Sequence, residues 1–472
     1  MAVTSDPTTA AVDARDLLTS AFPGRVAVPD DAQYQSEKDQ PWCQTCWLPA
    51  ACFVRPSSMN DVAEILKIVR QTGTKFAVRC GGHNTNPGGN SIDGNGILVN
   101  LLNLKSLELA DDAVLRVGAG CIWGDVYDFL DKKGLSAIGG RQRDVGVSGY
   151  LLGGGMPAFP NHHGLAADSV KNFEVVLADS TIVNANANEN PDLFRALKGG
   201  GSNFGIVTRF DIQTYPLIEV KYTVFMYDPS GYDEVLRATA EAQTAMEVDS
   251  KIGMFTAVNP AFIAVGAFYL DTEAAQPKFI ETFFNLKSLQ ATAVPTTKGT
   301  LKTLIEAIGI LGPAARRLAY TTTTKVSYDL YIDIHNLWLE GKTKYPGVNL
   351  WYSIQPASPA TAQIGEDRGG NSLGLEKVSQ SWWAIVAEWP DETGDAAAAQ
   401  ALKEFTEDVI NLAKKKGKHL DFIFMNDAHT SQNVLGGYGA ENLKRLRDAA
   451  AKYDPEGVFQ KLQNDGFLLR KV

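Results

Sequence analysis

The segment FVRPSSMNDVAEILKIVRQTGTKFAV runs directly into Arg79-Cys80-Gly81-Gly82-His83-Asn84, and this junction constrains the fold more than any other feature of the chain. It reads as a short strand, a Ser/Asn-capped amphipathic helix, and a second strand ending on two glycines. Gly-Gly ahead of a polar residue is ordinarily a tight turn, because a residue without Cβ tolerates positive φ. At the end of a strand the same pair can aim successive N–H groups at a diphosphate. His83 adds one nucleophilic imidazole beside those amides, so the pattern points to a cradled and covalently held cofactor.

The flanking sequence extends this layout. A short N-terminal helix is predicted from Asp13 to Ala21, and ILVNLLNLKSLELADDAVLRVGAG breaks into short strands and hairpins. CIWGDVYDFLDKKG has apolar positions at helical spacing and ends at Gly134. The segment 139–155, GGRQRDVGVSGYLLGGG, is too rich in glycine for a regular helix. The apolar rhythm around Tyr150-Leu151-Leu152 instead predicts an ordered loop wrapped around a ligand, and Asn203-Phe204-Gly205-Ile206-Val207 predicts another close backbone approach. Arg141 has three readings open to it: a phosphate partner, a substrate carboxylate partner, or a solvated cation. After Pro216, strands such as KYTVFMYD, KIGMFTAV and AFIAVGAFYL alternate with helices such as EVLRATAEAQTAM, an α+β layout. The aromatic residues of 338–390 are expected mostly in the core, with one or two lining a pocket.

Several function classes are disfavoured. At 472 residues the chain has room for two or three domains. A net charge of −10 argues against nonspecific binding to nucleic acid or anionic membranes. No stretch approaches the length of an apolar membrane span, and the first thirty residues lack the basic start and apolar core of a secretory signal, so an intracellular soluble protein is expected. The five cysteines do not suggest a disulfide framework. Cys43-x-x-Cys46 could be half a zinc site or a redox pair, but with no second CxxC, structural thiols are the simpler expectation. His162-His163 on an extended segment would point to opposite faces, and no metal is expected. His335 and His419 read as solvated or internally satisfied residues.

From Val54 to about Pro216 the sequence resembles the FAD-binding domain of the vanillyl-alcohol oxidase superfamily, and more narrowly the berberine-bridge-enzyme-like flavoproteins of fungi. Four segments carry this: FAVRCGGHN, the 139–155 turn, VVLADSTIVNANANENPDLFRALKGGGSNFGIVTRFDIQTYP, and the terminal YDPEGVFQ. The resemblance implies an α+β fold: a two-subdomain PCMH-type FAD-binding domain at 46–217 after a lead-in at 1–45, an α/β substrate domain with an antiparallel sheet covered by helices at 218–420, and a return to the FAD domain at 421–472. It implies FAD attached through His83. The implied cofactor contacts are Arg79, Cys80, Gly81, Gly82, His83 and Asn84 on the first turn, and Gly140, Gln142, Val145, Gly146, Ser148, Gly149 and Gly155 on the second. Ile206, Val207 and Asn426 complete them.

Three positions sharpen the expectation. Gln142 stands where many relatives carry a second attachment cysteine, so a single covalent link is expected. Val145 matches a position whose small side chain goes with oxygen access in this family, which favours an oxidase over a dehydrogenase. Where relatives carry a Tyr-x-Asn motif on a strand, this chain reads Phe424-Met425-Asn426, and phenylalanine cannot supply the usual base. Asn426, Asp427 and His429 are then the nearest catalytic candidates, and Tyr352 is the candidate for a phenol facing the flavin ring. The implied reaction is hydride transfer from a small secondary metabolite (an alcohol, phenol or amine), with O2 as the second substrate. The rivals are a carbohydrate oxidase, disfavoured by Phe424, a dehydrogenase using another acceptor, and a flavoprotein that catalyses a redox-neutral cyclisation or only binds.

Overall fold

Ser58 and Gly73 bracket the helix that organises the first sheet. Ser58 accepts a hydrogen bond from the Asp61 N–H, and Gly73 ends the helix Met59–Thr72 in the left-handed conformation at φ 69°. The apolar stripe Val62, Ile65, Leu66 and Val69 is buried between them. In the computed structural model, which describes residues 6–110, 113–309 and 312–472, this helix connects strands Cys52–Val54 and Lys75–Arg79. Both lie parallel to the central strand Gly96–Asn100, and Val26–Ala27 closes the four-stranded sheet antiparallel at one edge.

A second sheet is built on the long strand Ile206–Pro216. Val114–Gly118 and Val170–Val176 flank it antiparallel, with Leu107–Leu109 and Ile182–Asn186 outside them and Leu135–Ala137 paired at its far end. The third sheet has eight strands in the order Leu289–Thr300, Glu219–Tyr227, Phe262–Tyr269, Ile252–Asn259, Asn349–Ala357, Gln380–Trp389, Arg316–Lys325, His419–Leu420. Every neighbouring pair in it is antiparallel. Helices Tyr232–Ala245, Tyr328–Lys344 and Asp395–Lys415 cover one face and bury Trp338, Tyr352, Trp383 and Phe405. From the other face Trp382 packs against Phe422 and Phe424, which belong to the core shared with the first two sheets. The α+β class and the helix-covered antiparallel sheet expected from the sequence are therefore what forms. The chain then returns: Phe76 bonds through its backbone to Leu462 and Asn464, which covers the open edge of the first sheet.

Local differences from expectation have simple causes. The N-terminal helix spans Pro7–Ala21, starting well before Asp13, because Pro7 sits in its first turn, where the missing N–H costs nothing. The 139–155 segment contains a short helix, Val147–Leu152, since its interior glycine, Gly149, is outnumbered by residues that pack. His162 and His163 lie on the helical turn Pro160–His163, not on extended chain, and their rings meet edge to face at 4.7 Å.

Arg79 is corrected most clearly. Its side chain does not reach toward a ligand but turns into the core at 2% exposure, where it donates to the Glu37 carbonyl at 2.7 Å and to the Glu37 carboxylate at 3.1 Å. Asn100 donates to the same carboxylate at 2.7 Å and Arg55 pairs with its other oxygen. Burial pulls the Arg79 guanidinium down to about 10, against the opposing pull of Glu37, so it stays charged at neutral pH. Glu37→Leu would strand this cation in the core, and urea unfolding is expected to show a loss of about 3–5 kcal/mol. Arg70→Ala, which removes only the exposed pair with Glu456, should leave the midpoint nearly unchanged.

Candidate functional site

With Arg79 turned inward, the residues after it shape the site. The loops carrying Gly81 and Gly146 touch backbone to backbone: a Cβ on Gly81 would lie 2.4 Å from the Gly146 nitrogen, and one on Gly146 would lie 2.6 Å from Cys80 Sγ. Neither position admits a side chain. Gly82, at φ 75°, turns its carbonyl to accept from the Trp42 N–H at 3.1 Å. Among the described residues, the backbone N–H groups of Gly82, His83, Asn84 and Thr85, and of Gln142, Arg143 and Asp144, donate to no protein acceptor. Adjacent loops presenting unpaired amides form an anion cradle. Gly149 has open space where a Cβ would project, which leaves room for a flat ring against the helix Val147–Leu152. The donor set and the space fit the diphosphate and ring system of FAD.

His83 stands at this cradle. Its ring stacks on Trp42, centroids 5.3 Å apart at 17°, and the Arg317 guanidinium lies 3.4 Å from the centre of the Trp42 ring. Burial pulls the imidazole down to about 4, with Arg317 adding to the effect and Asp144 opposing it, so the ring is neutral at physiological pH. Its nitrogens make no hydrogen bond among the described residues. A neutral, unengaged imidazole is the nucleophilic form.

The opposite wall comes from the C-terminal return and the eight-stranded sheet. Phe424 does not lie on a strand: it leads into the 3-10 turn Met425–Asp427 and packs on Trp382 at 4.7 Å. Asn426 clamps the glycine-rich segment, accepting from the Gly155 N–H at 3.1 Å and donating to the Gly149 carbonyl at 3.0 Å. Asp427 Oδ2 accepts from Gln355 Nε2 at 2.6 Å, and the Gln355 carbonyl accepts in turn from Arg141. Among the described residues the hydrogen bond to this carboxylate falls on Oδ2, and Oδ1 accepts none. Burial raises the Asp427 carboxyl above its ordinary value, while Gln355 and Arg141 hold it back. Tyr150 is close enough to feel both Arg141 and Asp427. Burial raises its phenol strongly, so it stays protonated, and it donates to the Gly139 carbonyl at 3.2 Å.

Other candidates fall elsewhere. Tyr352 does not face the cleft. It is wholly buried under the helices, with its hydroxyl on His335 Nδ1 at 2.9 Å, because even-numbered residues of its strand point to that core. His429 is committed to the sheet edge, stacked on Tyr320 at 4.5 Å and bonded to Ser431 Oγ at 2.8 Å. Ile206 and Val207 put their side chains into the core, leaving only backbone for a ligand. The Ser148 hydroxyl is taken by the Ala119 carbonyl at 2.6 Å, and the Asn84 side chain accepts from Asn86. Gly140 is required by Trp123, which a Cβ would meet at 2.7 Å.

Sequence reasoning missed Gln355, Tyr150 and Trp42 as site residues. Tyr150 stood in the glycine-rich segment as part of an apolar rhythm. Gln355 and Trp42 carried no local signal, because only the tertiary fold brings them to the cleft.

Comparison with known proteins agrees with this geometry. The FAD binding domain family matches residues 50–186. An FAD-dependent monooxygenase of Aspergillus niger is 35% identical over 484 residues, covering 99% of this chain and 83% of the relative. The solved structure of 6-hydroxy-D-nicotine oxidase from Arthrobacter nicotinovorans superposes with a TM-score of 0.79 at 22% identity, covering 94% of this chain and 98% of the other. Glucooligosaccharide oxidase from Acremonium strictum, described with a 6-S-cysteinyl, 8α-N1-histidyl FAD, also gives 0.79, at 20% identity over 96% of this chain and 99% of the other.

Proposed function

Because this chain belongs to the berberine-bridge-enzyme-like FAD-linked oxidoreductases of the vanillyl-alcohol oxidase superfamily, we propose that it is an oxidase of a small secondary metabolite. FAD is held by one covalent bond to His83, and Asp427 accepts the substrate proton. The observation that carries the assignment is the half-buried Asp427 carboxyl, whose free Oδ1 lies one residue from Asn426, where Phe424 has removed the usual phenol. His83 supplies the attachment nucleophile as a neutral imidazole held flat by Trp42. Gln142, at the place of the second attachment in relatives, has an amide and no thiol, so the link is single.

FAD bound there supplies a two-electron acceptor that takes a hydride from the substrate carbon, with O2 as terminal oxidant and hydrogen peroxide as its product. The protein does the rest. Asn426 holds the glycine-rich wall in place through Gly149 and Gly155, and Asp427 Oδ1 takes the proton of the substrate O–H or N–H. Val145, half-buried beside the free amides, has a small side chain, which favours access of O2 to the cofactor.

Digestion of acid-denatured protein should yield a His83 peptide heavier by one FAD, and His83→Ala should yield none. Recovery of an unmodified His83 peptide from flavin-containing protein would remove the covalent link. The name of the Aspergillus niger relative favours a second reading, insertion of an oxygen atom into the substrate. Turnover under 18O2 separates the two: an oxidase releases one peroxide per product and leaves no 18O in it, whereas a monooxygenase puts the label in the product.

A base must be ionised to act, and burial raises the Asp427 carboxyl. The value of kcat/KM should therefore climb as pH rises through that raised value and then level off. Asp427→Asn should abolish the climb and lower kcat by about 10²–10⁴-fold.

A further inference from the structure

Arginines held inside this fold generally meet a carboxylate. Arg79 meets Glu37 at 3.1 Å, Arg317 meets Glu388 at 3.1 Å, and Arg209 meets Glu174 and Asp211 at 2.7 Å each. Three half-buried arginines form no salt bridge among the described residues; Arg195 and Arg368 each bond two acceptors, whereas Arg141 has one nitrogen engaged on a single acceptor, the carbonyl of a neutral side chain, Gln355. Gln355 is itself 5% exposed, lies on the strand Asn349–Ala357, and donates its amide to Asp427 Oδ2 at 2.6 Å. The amide thus acts as a spacer between a cation and a carboxylate that would neutralise each other in direct contact. Burial depresses the Arg141 guanidinium, with Tyr150 and Asp427 opposing, so the site bears a desolvation cost that no protein anion offsets by contact.

A planar fork of N–H donors left open beside the proposed base is suited to two coplanar oxygens sharing a negative charge. We propose that Arg141 is the specificity-determining residue of this cleft and that it binds an ionised oxygen pair on the substrate, as in a carboxylate or the enolate of a 1,3-dicarbonyl compound. Gln355 fixes the guanidinium, and the Tyr150 phenol, which stays protonated, borders the same space. An acidic group seated there places the rest of the molecule against the wall carrying Asn426 and Asp427. A neutral sugar has no group to match the open fork. The inference rests on the oxidoreductase assignment of the same cleft and adds the chemical class of its substrate.

The test is a binding measurement. Flavin-loaded protein is titrated with sodium benzoate and with benzamide, its neutral isostere, following both the flavin absorbance and the heat of binding. Benzoate is expected to perturb the flavin spectrum saturably, with benzamide at least about tenfold weaker; Arg141→Met should lose at least about tenfold in benzoate affinity with its flavin retained. Arg141→Lys, which keeps the charge and loses the fork, should fall between them, and it serves if the methionine variant does not fold. Equal affinity for benzamide, no benzoate response in the wild type, or unchanged benzoate affinity in the variants would overturn the assignment. Failure of the oxidase assignment shows separately, as 18O in the product, with the benzoate preference intact.

Discussion

The buried Glu37–Arg79 pair fixes the point from which the rest of the site is built. Arg79 is the last residue of its strand, and the next four residues form the turn that ends in His83. Holding Arg79 from the Glu37 carboxylate and carbonyl, with Asn100 on the neighbouring strand sharing the same acid, sets where the backbone leaves the sheet. A buried pair of this kind adds little net stability over an apolar substitute, but a broken one is costly. Its value lies in geometry. The Gly81 and Gly146 backbones meet so closely that neither position has room for a side chain, so the two loops bearing the free amides are set against each other by direct backbone contact.

The far wall depends on parity. In the strand Asn349–Ala357, Tyr352 and Ile354 face the helices, and Gln355 faces the cleft, paired across the sheet with Trp382. The two faces are put to different use. One is the aromatic core under the helices; the other packs Trp382 on Phe422 and Phe424 and, beside them, presents the Gln355 amide to Asp427 and Arg141. A one-residue slip would exchange them.

What the sequence made legible was local. The strand, capped helix and strand leading to His83 follow from Ser58, the apolar stripe and Gly73, all within a few residues of where they act. The glycine-rich segments announce close backbone approach because no other residue tolerates it, though the short helix inside one of them was hidden by that same glycine content. The rest lay in long-range contacts. Arg79 looked like a ligand contact until Glu37 met it from the lead-in, Tyr352 could be assigned to either face until its strand found its neighbours, and Gln355 acquired meaning only when Arg141 and Asp427 arrived from other parts of the chain.

The sandwich of His83, Trp42 and Arg317 has a consequence in time. Its three members come from the lead-in, the first glycine turn, and a strand more than two hundred residues further along the chain. Until that strand has been synthesised and has joined its sheet, His83 is an ordinary solvated imidazole, largely protonated in mildly acidic surroundings. The neutral imidazole held against Trp42 is thus a product of complete folding, so any bond made through its ring nitrogens would follow that folding and not precede it on the ribosome.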